Sequence, residues 1–308
     1  MSALALLLRL LYAALTAVAA AFALAPWTRE AFVRYGKTRP PQTRHPAPAA
    51  ALRWFASRTV PKNWFSHFYY VGAGLGALLL SDVGRWPWIG PGSGTHSAPW
   101  GLVPRLAALL GDQREAFAST PSAHAILALA MYNAHVLVRL KESVFDQPAT
   151  DAKMHIGQYA VGLLFYTATP LALVVDAYDS PRPRPLLAWM APAGMAVFAY
   201  ASLHQWRCHR ILFGLRRRSL SAPRQTGLYA IPSGDLFTQV SSPHFFCEIL
   251  LYASIWIATG CQSTSVLWVV LWTAVNLGIT ARETHRWYRE TFGDAYPRSR
   301  RALIPFVW

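Results

Sequence analysis

The chain has 308 residues, 54% of them apolar, and only 14% are Asp, Glu, Lys or Arg. Soluble domains carry about 25% charged residues, so a water-soluble fold is a poor fit, and the hydrophobicity excludes a disordered chain. The 29 Lys and Arg against 14 Asp and Glu give a net charge of +15, and three cysteines are too few for a disulfide-stapled small domain.

About 20 apolar residues, at 1.5 Å each, cross the hydrocarbon of a bilayer. The sequence offers seven such runs, at about 3–25, 64–81, 121–140, 155–175, 186–206, 242–261 and 264–281. The second, fourth and fifth are shorter or broken by Gly and Pro, which membrane helices tolerate where neighbours cover the freed backbone groups. The pattern predicts an all-α, multi-pass transmembrane helical bundle of about seven spans. Nothing basic precedes the first run except Arg9 inside it, and Arg29, Arg34 and Lys37 follow it, so a retained helix is expected; Ala23-Leu24-Ala25 also offers a small-residue cleavage site.

With seven spans, loops one, three and five and the C-terminal segment share one side and hold 23 of the Lys and Arg, whereas the opposite side holds five. The positive-inside rule then puts the C-terminus in the cytosol. Cations on every loop of one side are what a membrane bundle calls for, and they give no reason to invoke nucleic acid. Cys208 and Cys247 fall at cytosolic helix ends, where thiols stay reduced, Cys261 has no partner on the far side, and no disulfide is expected.

Loop one is Pro-rich over residues 40–48 and reads as irregular; loop two, about 82–120, is long, rich in Gly and Pro, and assigned no chemistry. Gly72, Gly74 and Gly76 lack the spacing of a dinucleotide fingerprint and suit close helix contact instead. No metal-binding motif is present.

Ionisable groups at membrane depth are costly and mark functional positions. Four clusters qualify, all at the cytosolic side. His135, Arg139 and Glu142 share one face of the third span. The fifth span ends in Gln205, His209 and Arg216, again on one side, a cationic surface better suited to an anion than to a metal. Ser242 and Pro243 make a natural start to the sixth span, which places His244 and Glu248 one turn apart inside apolar sequence. The C-terminal segment carries His285, Tyr288, Tyr296 and several Arg; alone it reads as a juxtamembrane stretch that binds anionic lipid.

His285-Arg286-Trp287-Tyr288, followed by Tyr296-Pro297-Arg298-Ser299-Arg300-Arg301-Ala302-Leu303-Ile304-Pro305-Phe306, resembles the C-terminal signature of the steroid 5α-reductase family, and Ile231-Pro232 through Glu248 extends the likeness over roughly the last hundred residues. Within the family the chain is similar to the polyprenol reductase branch, on Gln205-x-x-Cys208-His209 with Ile211-Leu212 and Leu215-Arg216, and on Val60-Pro61-Lys62-Asn63-Trp64-Phe65-Ser66-His67-Phe68-Tyr69. The resemblance implies a seven-helix endoplasmic reticulum protein that uses NADPH to reduce the α-isoprene double bond of polyprenal or polyprenol in dolichol synthesis, supporting protein N-glycosylation. It implies an N-terminal part, 1–120, and a catalytic, NADPH-binding part, 121–308. Carried over by position, cofactor contacts fall on Gln205, His209, Arg216, Tyr229, His244, Glu248, His285 and Tyr288, with Arg139 nearby. The implied partners are a long-chain polyprenoid within the bilayer, membrane lipid, and an oxidoreductase interconverting polyprenol and polyprenal.

Steroid-reducing members place a Tyr after the third-span His and a Glu shortly after a Trp-Phe pair in loop one. Here those places hold Val136 and, after Trp54-Phe55, Ser57 and Arg58. The catalytic acid therefore does not carry over, and His135, His67 and Tyr69 remain as catalytic candidates. The alternatives are a steroid 5α-reductase and a lipid-modifying membrane protein that is not a reductase. A magnesium-dependent transferase lacks its paired Asp here, and a transporter would carry polar breaks at mid-membrane rather than at one side.

Overall fold

A computed structural model describes residues 1–34, 38, 49–85, 101–112, 123–149, 151–179, 189–221 and 229–308. The Pro-rich stretch 40–48, most of loop two and the cations Lys37, Arg39, Arg44, Arg114, Arg182, Arg184 and Arg224 lie outside the described residues.

Helices stand at all seven predicted places. They are α1 (Ala3–Leu24), α3 (Phe65–Arg85), α5 (Ala123–Lys141), α6 (Ile156–Asp179), α7 (Met190–Ser221), α8 (Pro243–Ala258) and α9 (Thr264–Phe292). Short helices α2 (Ala50–Ser57) and α4 (Leu102–Leu109) precede α3 and α5, and two three-residue strands, β1 (Thr59–Pro61) and β2 (Lys153–His155), complete the fold. Among the described residues four helical segments are long and apolar enough to cross a membrane: Ala3–Leu24, Ala123–Asp146, Ile156–Tyr178 and Thr264–Ala295; Pro243–Ala258 is apolar but shorter. The protein is an all-α helical membrane protein.

Two predicted ends are corrected. Helix α7 continues to Ser221 and α9 to Phe292, so His285 and Tyr288 ride on a continuous helix rather than on a connecting segment, and Arg216 shares one helix with Gln205 and His209, as their spacing predicts. The bundle is built by α7 against α8, α3 against α5 and α6, and α1 against α9, with α8 also packed on α9. Its buried centre includes Tyr12, Leu129, Tyr132, Val174, Tyr252 and Val269.

Contacts at the two ends sort the connections into two groups. At one end Asp112 accepts from the backbone N–H of Ala3 at 2.7 Å, and Asp176 of α6 takes Arg9 at 3.0 Å, Ser263 at 2.8 Å and Ser265 at 2.7 Å. At the other, β1 of loop one pairs antiparallel with β2 of loop three, Arg34 meets Glu283 at 2.6 Å, and Arg217 donates to the Asp146 carbonyl at 2.6 Å. Loops one, three and five and the end of α9 therefore share a face, the grouping that the charge pattern predicts.

Small residues set the closest helix contacts, as expected where lipid removes the hydrophobic drive to associate. A Cβ on Gly194 of α7 would lie 2.6 Å from the Cβ of Ala258 on α8, and one on Gly162 would strike the Phe68 ring at 2.5 Å. Gly72 and Gly76 lie against Tyr132 and Asn133 of α5, whereas nothing stands within 4 Å of a Cβ on Gly74. Gly194→Val is expected to destabilise the protein by about 1–3 kcal/mol through overpacking, read as a lower melting temperature in detergent, with Gly74→Val as the near-silent control.

Candidate functional site

Glu248 is the centre of the polar residues. Its helix starts after Ser242 with Pro243 in the first turn, where the missing N–H costs nothing. Ser242 occupies the N-cap position, but its hydroxyl makes no capping bond. One turn further on, the Glu248 carboxylate has one oxygen 3.1 Å from His135 Nε2 of α5 and accepts the Gln205 amide of α7 on the other at 2.5 Å. Gln205 also donates to the His244 carbonyl at 3.3 Å. A carboxylate removed from water needs such partners, and these two bring three helices to one point.

Beside it, Arg139 forms a second hub. Its Nη1 donates to Glu142 and lies 2.7 Å from His209 Nδ1, and its Nη2 donates to the Tyr69 hydroxyl at 3.2 Å. The guanidinium carbon sits 5.3 Å from the centre of the Tyr69 ring, within cation–π range. Glu142 also reaches His209 Nδ1 at 3.0 Å and is 2% exposed. It opens a π-helical turn, Glu142–Asp146, a geometry frequent at functional positions. The two hubs join through His209, whose ring lies 5.7 Å from that of His244.

His244 leads into a cavity of about 290 Å³. Its described walls include Lys62, Arg216, Tyr229, Ser241, Thr284 and Tyr288, and carry no Asp or Glu. Burial and the nearby positive charge of Arg216 hold the Lys62 ammonium below the ordinary lysine range. Two neighbouring cations, tyrosine rings and hydroxyls without a carboxylate form the lining that an anionic, aromatic ligand fits.

The segment supplying Tyr229 and Ser241 is pinned on both sides. Gly234 has φ +94°, which glycine adopts without cost, so the chain turns and Asp235 accepts His204 of α7 at 2.7 Å. Arg300 donates to the Pro232 carbonyl at 2.9 Å. The Ser241 hydroxyl contacts His285 Nδ1 and the Tyr296 hydroxyl, both at 2.6 Å, and Tyr296 stacks on Tyr288 with ring centres 5.3 Å apart.

Eleven of the twelve residues singled out from the sequence thus stand in this connected region. His135, Gln205 and Glu248 meet directly, as do Tyr69, Arg139 and His209; Arg216, Tyr229, His244 and Tyr288 line the cavity, and His285 stands behind Ser241. His67 is turned aside. Two residues before Tyr69 on α3, it bonds the Tyr159 hydroxyl at 2.9 Å beside Trp64. Three further residues stand in the region: Glu142, which the sequence marks through the face it shares with His135 and Arg139, and Ser241 and Lys62, which carry no sequence signal beyond the segments they sit in.

Residues 152–308 match the family described as 3-oxo-5-alpha-steroid 4-dehydrogenase. Over most of its length the chain is similar to proteins named polyprenal reductase. It is 34% identical to one from Xenopus tropicalis, over 90% of this chain and 87% of the relative. It is 32% identical to polyprenal reductase 2 of Arabidopsis thaliana (81% and 83%) and 30% identical to polyprenal reductase 2 of Oryza sativa subsp. japonica (86% and 85%).

Proposed function

The chain belongs to the 3-oxo-5-alpha-steroid 4-dehydrogenase family, and on that premise we propose that it uses NADPH to saturate the α-isoprene double bond of polyprenal. The product leads to dolichol and so to protein N-glycosylation. Most of the catalytic, cofactor-binding part falls in 121–308, with Lys62 and Tyr69 added from 1–120, in the endoplasmic reticulum membrane with the C-terminus cytosolic; the charge asymmetry of the loops supports that orientation. A partner oxidoreductase would supply the aldehyde from polyprenol.

The observation that carries the cofactor is the cavity with Lys62 and Arg216 in its wall and no Asp or Glu among its described lining. Phosphate recognition calls for such cations, and the 2′-phosphate distinguishes NADPH from NADH. Lys62 and Arg216 would hold the phosphates, and Tyr229 and Tyr288 offer ring faces. When bound, the dinucleotide supplies the hydride. The chain supplies the rest. Glu248 orients His135 and Gln205. Arg139 donates to the Tyr69 oxygen, which leaves the Tyr69 O–H free to point elsewhere and polarises it as a donor to a carbonyl oxygen. His135 spends its Nε2 on Glu248 and His67 faces Tyr159, so Tyr69 is the preferred donor of the three.

Purified protein should oxidise NADPH only when polyprenal is added, and failure to bind either dinucleotide would overturn the proposal. Losing one charge-assisted contact, Lys62→Ala or Arg216→Ala should raise the KM for NADPH about tenfold or more with kcat little changed. A lysine binds an anion while protonated, and the Lys62 ammonium titrates below its ordinary range. Affinity for NADPH should therefore fall as pH rises through that lowered range, and Lys62→Arg should flatten the dependence.

A further inference from the structure

A second cavity, of about 190 Å³, lies between α5 and α7 and is lined by Ala134, His135, Val138, Glu142, Phe198, Ser202, Gln205 and Trp206. Helix α7 packs along α8, and α5 packs on α3, α6 and α8, so these two helices leave a gap between them. Two kinds of surface line it. The inner wall is polar and belongs to the site: His135 and Gln205 both hold Glu248, and Glu142 holds Arg139 and His209. The Oε1 oxygen of Glu142 is buried without a hydrogen-bond partner among the described residues. The rest of the lining is largely apolar, from Ala134, Val138, Phe198 and Trp206, and Val138 is 44% exposed.

From this arrangement we infer that the α5–α7 gap is the lateral opening through which the isoprenoid chain of the substrate passes between site and bilayer, an inference that rests on the polyprenal reading. The occupant follows from three features. The cavity is continuous with the residues around Glu248, so whatever fills it reaches the polar centre. It is far too small to enclose a chain of many isoprene units, so most of such a chain must lie outside. The rim it would cross is hydrocarbon on helices that face lipid, so the chain crosses no water. Val138 is one turn from the end of α5 at Lys141, which sets the opening near the headgroup boundary, where a polar head on an apolar tail resides. The dinucleotide cavity with Lys62 and Arg216 has different walls, and the two ligands would approach from different sides.

A long-chain polyprenal bearing a diazirine on its second isoprene unit tests the placement without any turnover. Reconstituted in vesicles, irradiated and digested, the protein should carry the label on residues 134–142 and 198–206; label confined to other helices would overturn the inference. Val138→Trp and Ser202→Trp then fill the rim. Overpacking at a site of this size should lower the rate on the long-chain aldehyde about tenfold while a ten-carbon enal is reduced at near the wild-type rate. Equal effects on the two substrates, or none, would overturn the opening. Labelling at the gap in a protein that reduces neither aldehyde would leave the opening standing and remove the reductase assignment instead.

Discussion

Glu248→Gln is expected to lower kcat about 100-fold or more while the protein remains folded. The wild-type carboxylate is acceptor-only and serves two donors, His135 Nε2 and the Gln205 amide. A glutamine of the same shape presents an NH₂ to one of them, so a donor faces a donor in a buried place. His135 or Gln205 then leaves its position, and both line the cavity that we assign to the substrate. Turnover of polyprenal with NADPH measures the effect, and a melting curve in detergent separates it from unfolding. A wild-type kcat would return Glu248 to a packing role.

The second large effect concerns the substrate. Hydride adds readily to an alkene only where the developing negative charge is delocalised. In polyprenal the aldehyde is conjugated to the α-isoprene double bond, and addition at the β carbon moves charge onto the carbonyl oxygen. One aimed donor can stabilise that oxygen, and the Tyr69 hydroxyl is prepared for it by Arg139. In polyprenol the same alkene has no acceptor, and the same step would make an unstabilised carbanion. The loss of one such stabilisation is worth about 10²–10³ in rate, so the purified enzyme should reduce polyprenal at least 100-fold faster than pure polyprenol. A 4-ene-3-oxo steroid should also be poor, since Val136 stands where steroid-reducing relatives would place a Tyr. Equal rates on aldehyde and alcohol would refute the conjugation argument. Preference for the steroid would refute the branch.

Much of this architecture was legible in the sequence because hydropathy reports burial in lipid directly. It reports where lipid stops, however, and not where a helix stops. Helices α7 and α9 continue past their apolar portions to Ser221 and Phe292, beyond the predicted ends at 206 and 281, with the charged residues expected of a segment that leaves the bilayer. The site was legible as cost: an acid, two histidines and an arginine in apolar helices needed a reason. Which group meets which was not, because His135 and Glu248 are 113 residues apart in sequence, and only packing of α5 on α8 brings them together. Helix geometry explains why His67 stands apart from the other candidates. The motif that suggested His67 also contains Tyr69, but positions two apart on a helix face different ways, and one motif cannot point both into the same site.

The Asp176 clamp bears on how the chain is made. Arg9 of α1 is answered by Asp176, 167 residues later, and by Ser265, 256 residues later. During synthesis the first helix reaches the bilayer with its arginine unanswered, at a depth where an unpaired cation is costly. Its carboxylate partner arrives with α6, and the clamp is complete only when α9 emerges and Ser263 and Ser265 close around Asp176. A chain that stops before residue 263 therefore holds the Arg9–Asp176 pair without the hydroxyls of Ser263 and Ser265 that complete it.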